Sequence, residues 1–231
     1  MKVITIHQPN YMPWSGFFHK WMLADTFVIL DTVQYHKNEW QNRNRIKTAQ
    51  GEQWITVPVT YRFPQRIDEV GIMPGNWAKK QISSIEQAYA KSPYLAEYWQ
   101  PIKDVLLQKH QYIADLNSAL IQVMGQMLGC TAPLLRASDL PISHDDPTQR
   151  LIAITQHLNG NCYLSGSEGR NYLKTEPFLQ AGISLMFQNV RPPVYPQLHG
   201  EFIPYLSALD VLLNMGEDAK EIIRCMGDMQ P

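Results

Sequence analysis

Apolar and polar positions follow two rhythms along this chain, and the changes of rhythm mark its elements. Val3–Ile6 is a short run of β-formers with Pro9 just beyond it, the pattern of a buried strand. From Trp14 to Ala24 the residues Phe17, Phe18, Trp21 and Met22 are available to a buried helix face. Phe27–Leu30 is a second buried strand ending in Asp31. Strand, helix and strand in that order make a βαβ unit, whose crossover is almost always right-handed. Ligands in such sheets sit at the carboxyl ends of the strands. His7 and Asp31 both fall at such ends.

The rhythm then changes. Arg45–Thr48 and Gln53–Val59 read as arms of a hairpin turning at Gln50-Gly51. Residues 76–128 read as a helical region divided by Pro93 and Pro101 into three helices. Leu134–Arg136 is a short strand. Residues 146–158 are a helix capped by Asp145 or Asp146, with Pro147 in its first turn. Cys162–Leu164 and Ile183–Phe187 are strands, and helices near 205–214 and 217–226 close the chain. Strands alternate with helices at both ends, and no internal repeat interrupts them. The expectation is one α/β domain over residues 1–231, with a parallel-type sheet, a β-hairpin and a mainly helical insertion near 76–128.

Composition narrows the function classes. The chain has 231 residues, 45% of them hydrophobic, enough for a sizeable core. A formal net charge of -1 argues against a broad electrostatic grip on nucleic acid. No apolar run reaches about 18 residues, so no membrane span is expected. The first residues lack the basic and apolar regions of a signal peptide. Cys130, Cys162 and Cys225 show no CxxC spacing, which suits reduced thiols and a cytoplasmic location. HxxxH and HExxH are missing too, so no metal site is expected.

Four blocks carry candidate chemistry. The first, "HQPNYMPWSGFFHK", places His7, Gln8, Asn10, Tyr11 and His19 around a strand end. A lone histidine there more often satisfies a loop carbonyl, but several polar groups together argue for a site. The second, "DTVQYHKNEWQNRNRIKT", runs from Asp31 to Thr48. Strand alternation puts Arg43, Arg45 and Lys47 on one face and Asn42 and Asn44 on the other. The basic stripe would suit a nucleotide diphosphate, and a solvated polar loop is the plain alternative. The third, "YLSGSEGRNYL", is a turn after a strand. Gly166 and Gly169 let backbone amides point at an anion, Ser165 adds a hydroxyl, and Arg170 and Asn171 follow. A structural turn with a helix cap explains it equally well. The fourth, "VYPQLHGEFIPYLSALDVLLNMG", mixes Gln197, His199 and Asp210 without a GxSxG nucleophile elbow.

Taken together, these blocks closely resemble the WbqC-like family over nearly the whole chain. That resemblance implies a place in bacterial surface-polysaccharide biosynthesis, where some members are proposed to attach glycine or another acyl group to the amine of an amino sugar. The first βαβ unit is also similar to that of the nucleotidyltransferase-like α/β superfamily, implying a Rossmann-like fold of that character. "SEGRNYL" is similar to the "SSRNxYL" segment of pantothenate synthetases, which form an amide through an acyl-adenylate. Trp14 stands where the superfamily's "PxHxGH" turn has its first histidine, and His19 falls late. This favours a thioester donor, such as an acyl carrier protein would bring, over ATP and Mg, with no tightly bound cofactor.

The expected reaction is N-acyl or aminoacyl transfer to a nucleotide-linked amino sugar. His7 is the general base, Gln8 or Asn10 the oxyanion donor, and His19 and Asp31 lie beneath or beside them. Tyr11, the Asn42–Lys47 stripe, Ser165 to Asn171 and Gln197 would bind the substrate. An ATP-dependent ligase and a non-catalytic sugar-nucleotide-binding subunit are the alternatives.

Overall fold

A computed structural model describes residues 1–231. The opening unit is β1 (Val3–His7), α1 (Ser15–Met22) and β2 (Thr26–Ile29). A hairpin of β3 (Arg43–Thr48) and β4 (Gly51–Thr56) follows, in register from Arg43–Thr56 to Thr48–Gly51. Its turn is Ala49-Gln50, with Gly51 at φ +100° opening the second arm. A small ribbon comes next, β5 (Val59–Thr60) paired with β6 (Gly71–Ile72). Three helices follow: α2 (Trp77–Ala88), α3 (Leu95–Leu107) and α4 (Ile113–Met127). The chain then runs through β7 (Leu134–Arg136), α5 (Pro147–His157), β8 (Cys162–Ser165), α6 (Thr175–Gln180) and β9 (Ser184–Val190). It ends with α7 (Ala208–Met215), α8 (Asp218–Arg224) and β10 (Gly227–Gln230).

The fold is mixed α/β around one six-stranded sheet ordered β10-β9-β8-β1-β2-β7. Every neighbouring pair is parallel except the edge pair of β10 with β9. From β1 the chain steps outward through β2 to β7, then returns to the other side of β1 for β8 and β9. The reversal leaves a crevice between the carboxyl ends of β1 and β8.

Alternation along β1 sorts its side chains. Ile4 and Ile6 face a smaller core shared with Tyr163, Leu151 and Phe178 under α5 and α6. Thr5 and His7 point to the opposite face, where the His7 ring meets the Phe17 ring of α1 edge-on at 4.9 Å. The larger core joins Phe17, Phe18 and Trp21 of α1 and Phe27 of β2 to Ile82, Ile85, Leu116 and Leu120. The helical insertion thus shares its core with the first βαβ unit.

One local expectation is corrected, one strand goes beyond what the pattern predicts, and the helix cap falls on one of the two expected residues. Pro101 lies inside α3 instead of ending it, because Trp99, Ile102, Val105 and Leu106 hold that helix to the core through one buried face. The first break does fall near Pro93, and the second lies between Leu107 and Ile113. β10 escapes a pattern reading because its sequence, GDMQ, is polar and mostly exposed. At α5 the cap is Asp146, whose carboxylate accepts from the Gln149 amide at 2.7 Å, with Pro147 at the first position.

Candidate functional site

The crevice at the carboxyl ends opens into a cavity of about 650 Å³. β1 supplies Ile6, His7 and Gln8, and β8 with its following turn supplies Ser165, Gly166, Ser167, Glu168 and Gly169. Helix α1 contributes Gly16, Phe17 and Lys20, one face of a helix at i, i+1 and i+4. Gly169 permits the tight turn there, since a Cβ would come within 2.1 Å of Ser165 Oγ.

His7 has a defined tautomer. Its Nδ1 lies 2.9 Å from the Gln8 carbonyl oxygen, which can only accept, so Nδ1 carries the proton. Nε2 is left with a lone pair. Burial lowers the imidazole pKa to about 3, the charge of Lys20 pushes in the same direction, and the Gln8 carbonyl opposes both. The ring is neutral at pH 7.

Gln8 is oriented through a relay anchored on the backbone. The His36 amide donates to Gln41 Oε1 at 2.9 Å, so Gln41 Nε2 must donate to Gln8 Oε1, 2.6 Å away. That leaves Gln8 Nε2 as a free donor at the cavity wall.

Lys20 is the residue that pattern reading missed. Its side chain is buried, at 2% exposure, yet it lines the cavity. Its Nζ donates to the Ile6 carbonyl at 3.3 Å and sits 5.9 Å from the Phe27 ring centroid. It belongs to no ion pair. Burial pushes its ammonium pKa down to about 7. A lysine among Phe17, Phe18 and Trp21, on a helix otherwise set to be buried, was the available signal.

Other predicted residues are committed elsewhere. Asp31 is buried just behind the cavity, with both oxygens taken by Arg136 Nε (2.7 Å), Ser138 N (3.0 Å) and Ser138 Oγ (2.8 Å). It acts as a clamp between β2 and the segment after β7. His19 pins α1 to the far edge of the sheet. Its Nε2 donates to the Gly227 carbonyl at 3.2 Å, and its Nδ1 accepts from Gln188 Nε2 at 2.8 Å. Burial lowers the His19 pKa, so this ring is also neutral. Asn10 does not line the cavity, and Tyr11 is a core residue whose hydroxyl donates to Gln81 Oε1 at 2.6 Å.

The basic stripe does not reach the cavity. Arg43 lies over the Trp54 ring at 4.4 Å, and Arg45 pairs with Glu52 at 2.7 Å. Lys47 is buried, donating to the carbonyls of Gly200 (3.2 Å) and Glu201 (2.5 Å). Asn42 and Asn44 bond backbone carbonyls of Val57, Tyr11 and Met12. Arg43 and Arg45 are thus held by the facing arm β4, while the partners of Lys47 and Asn44 come from distant segments that hairpin alternation cannot reveal. The fourth block closes around the same place: Tyr89 and Tyr195 donate to the two oxygens of Asp210 at 2.7 and 2.8 Å, and Gln197 bonds Ile203. Burial raises the Asp210 pKa against those hydrogen bonds. Arg170 turns outward, 4.5 Å over the Phe187 ring and bonded to the Pro231 carbonyl, and Asn171 bonds Glu168. Of the four blocks, the first and third meet at the cavity. The second contributes only Thr32, Val33, Gln34 and His36.

No group of three or more His, Cys, Asp or Glu side chains is arranged to hold a metal ion. No helix is long and apolar enough to cross a membrane.

Comparison with known proteins adds kinship. The profile of the WbqC-like protein family matches residues 8–222. An uncharacterized protein of Mycobacterium tuberculosis, Rv1507c, is 36% identical over 230 residues, covering 97% of this chain and 98% of that protein. No solved structure matches. The chain belongs to the WbqC-like protein family.

Proposed function

We propose that this protein is an amide-forming transferase. It moves an acyl or aminoacyl group, such as glycyl, from a thioester to the amine of a nucleotide-linked amino sugar in surface-polysaccharide biosynthesis. The observation that carries the reading is His7, a neutral imidazole with its Nδ1 proton tied back and its Nε2 free at the cavity wall.

The sheet supports the nucleotide part. Counting only the parallel strands, the order β7-β2-β1-β8-β9 is 3-2-1-4-5, the Rossmann-like order, and the cavity occupies its switch point. The nucleotidyltransferase-like character of the first βαβ unit belongs to the same reading. Order of strands is a fold-level argument, so the chemistry rests on the side chains.

In the reaction the amine nitrogen attacks the thioester carbonyl and the C–N bond forms. The carbonyl π electrons move to oxygen, where Gln8 Nε2 donates to the developing oxyanion. His7 Nε2 takes the proton lost by the nitrogen. Collapse breaks the C–S bond, and the proton passes from His7 to the departing thiolate. The products are amide and free thiol.

The test uses purified protein, glycyl and short acyl thioesters, and UDP-linked amino sugars, with amide product read by mass spectrometry. Product is expected, and His7→Ala should slow it by about 10²–10⁴-fold. Acid-dependent exchange of labelled pyrophosphate with ATP would replace the transferase by an adenylating ligase. Sugar-nucleotide binding with neither activity would leave a binding subunit.

A further inference from the structure

The mechanism above leaves Lys20 unused, yet Lys20 is the least satisfied charge in the molecule's interior. An ammonium has three donors, and here one carbonyl at 3.3 Å accepts from it. No carboxylate pairs with it, and its side chain is 2% exposed. A buried charge without a counter-ion is costly and is expected to be paired when the site is filled.

The surrounding cavity is short of anions. Lys20 and Arg150 line it as cations, and Glu168 is the one acidic side chain on its wall. Arg150 holds the His144 carbonyl through Nε at 2.9 Å, a neutral contact that leaves its charge uncancelled.

We propose that Lys20 is the anchor for a phosphate group of the substrate, bound inside the cavity at the β1–β8 crevice, so that the substrate is a nucleoside diphosphate derivative held from α1 and not from the hairpin arginines. A multiply charged phosphate matches two cations against one acid better than a single carboxylate does. This deepens the proposed function, since it takes the cavity as the substrate site.

The experiment is titration calorimetry with UDP, with uridine and acetate as controls, in buffers of different ionisation enthalpy. Lys20 is largely unprotonated above pH 7 in the empty protein, so UDP binding at pH 8 should take up close to one proton. Affinity should fall towards tenfold per pH unit from pH 8 to 9. Lys20→Met should weaken UDP binding about ten- to hundredfold and abolish the proton uptake. Binding of UDP without uptake by the wild type, or undiminished in the variant, would overturn the assignment. So would Lys20-dependent binding of acetate without binding of UDP, or no binding of any probe. The readout is separate from turnover. Lys20-dependent UDP binding without amide formation refutes the transferase alone, and His7-dependent amide formation with Lys20-independent binding refutes the anchor alone.

Discussion

Replacing Lys20 with Met tests the buried amine through stability, without any ligand. Methionine keeps the length and apolar stem of lysine and removes the charge. The ammonium titrates at 10.5 in an ordinary exposed lysine and at about 7 in this fold, and at ~1.36 kcal/mol for each pH unit the difference amounts to ~5 kcal/mol. Below pH 7 the folded and unfolded chains both carry the proton, and the whole penalty stands against the fold. Between about 7 and 10.5 the unfolded chain holds more protons, so wild-type stability climbs with pH by up to ~1.4 kcal/mol per unit. Above 10.5 the penalty is gone. The variant has nothing to titrate at this position, so its advantage should be several kcal/mol at pH 7. By pH 10 it should shrink to within ~1 kcal/mol of zero, where the lost bond to the Ile6 carbonyl counts slightly against it. Urea denaturation of both proteins at pH 7, 8, 9 and 10 measures the difference, in which all other titrating groups cancel to first order. A gap that stays constant with pH, or a wild type more stable than the variant at pH 7, would refute the reasoning.

Arg136→Ala should destabilise the fold by ~3 kcal/mol in the same assay, because it leaves the Asp31 carboxylate buried with Ser138 as its remaining partner; an unchanged midpoint would mean the clamp is not needed. Gln41→Leu should lower kcat of amide formation about tenfold with KM nearly unchanged, since Gln8 Nε2 then loses its orientation; an unaffected kcat would remove Gln8 as the oxyanion donor.

Much of the framework was legible without coordinates because its signals are local. The β-forming run Val3–Ile6 before His7, an amphipathic stretch, and four apolar residues before Asp31 are enough to write a βαβ unit, and period-two alternation is enough to write the hairpin. The strand-end position of His7 follows from the same arithmetic. Even the plain alternative for His7 turned out to describe half of it: one ring nitrogen satisfies a loop carbonyl, and that bond is what frees the other.

The chemistry of the remaining polar residues depended on partners far away in the chain. Asp31 looks like a site residue until Arg136 and Ser138 fold over it. His19 reads like His7 until Gly227 and Gln188 take its two nitrogens. Lys47 reads as one rung of a basic stripe until the turn at Gly200 and Glu201 covers it. Lys20 runs the other way: its place in the sequence assigns it no role, and the packing of α1 against β1 leaves its amine inside. A sequence sets which groups can donate, accept or ionise, and roughly where each lies along a strand or helix. Which of them are spent on the fold and which are left over for a ligand is settled by long-range packing, because a hydrogen bond or a lost water is a property of two neighbours and only one of them is written at each position.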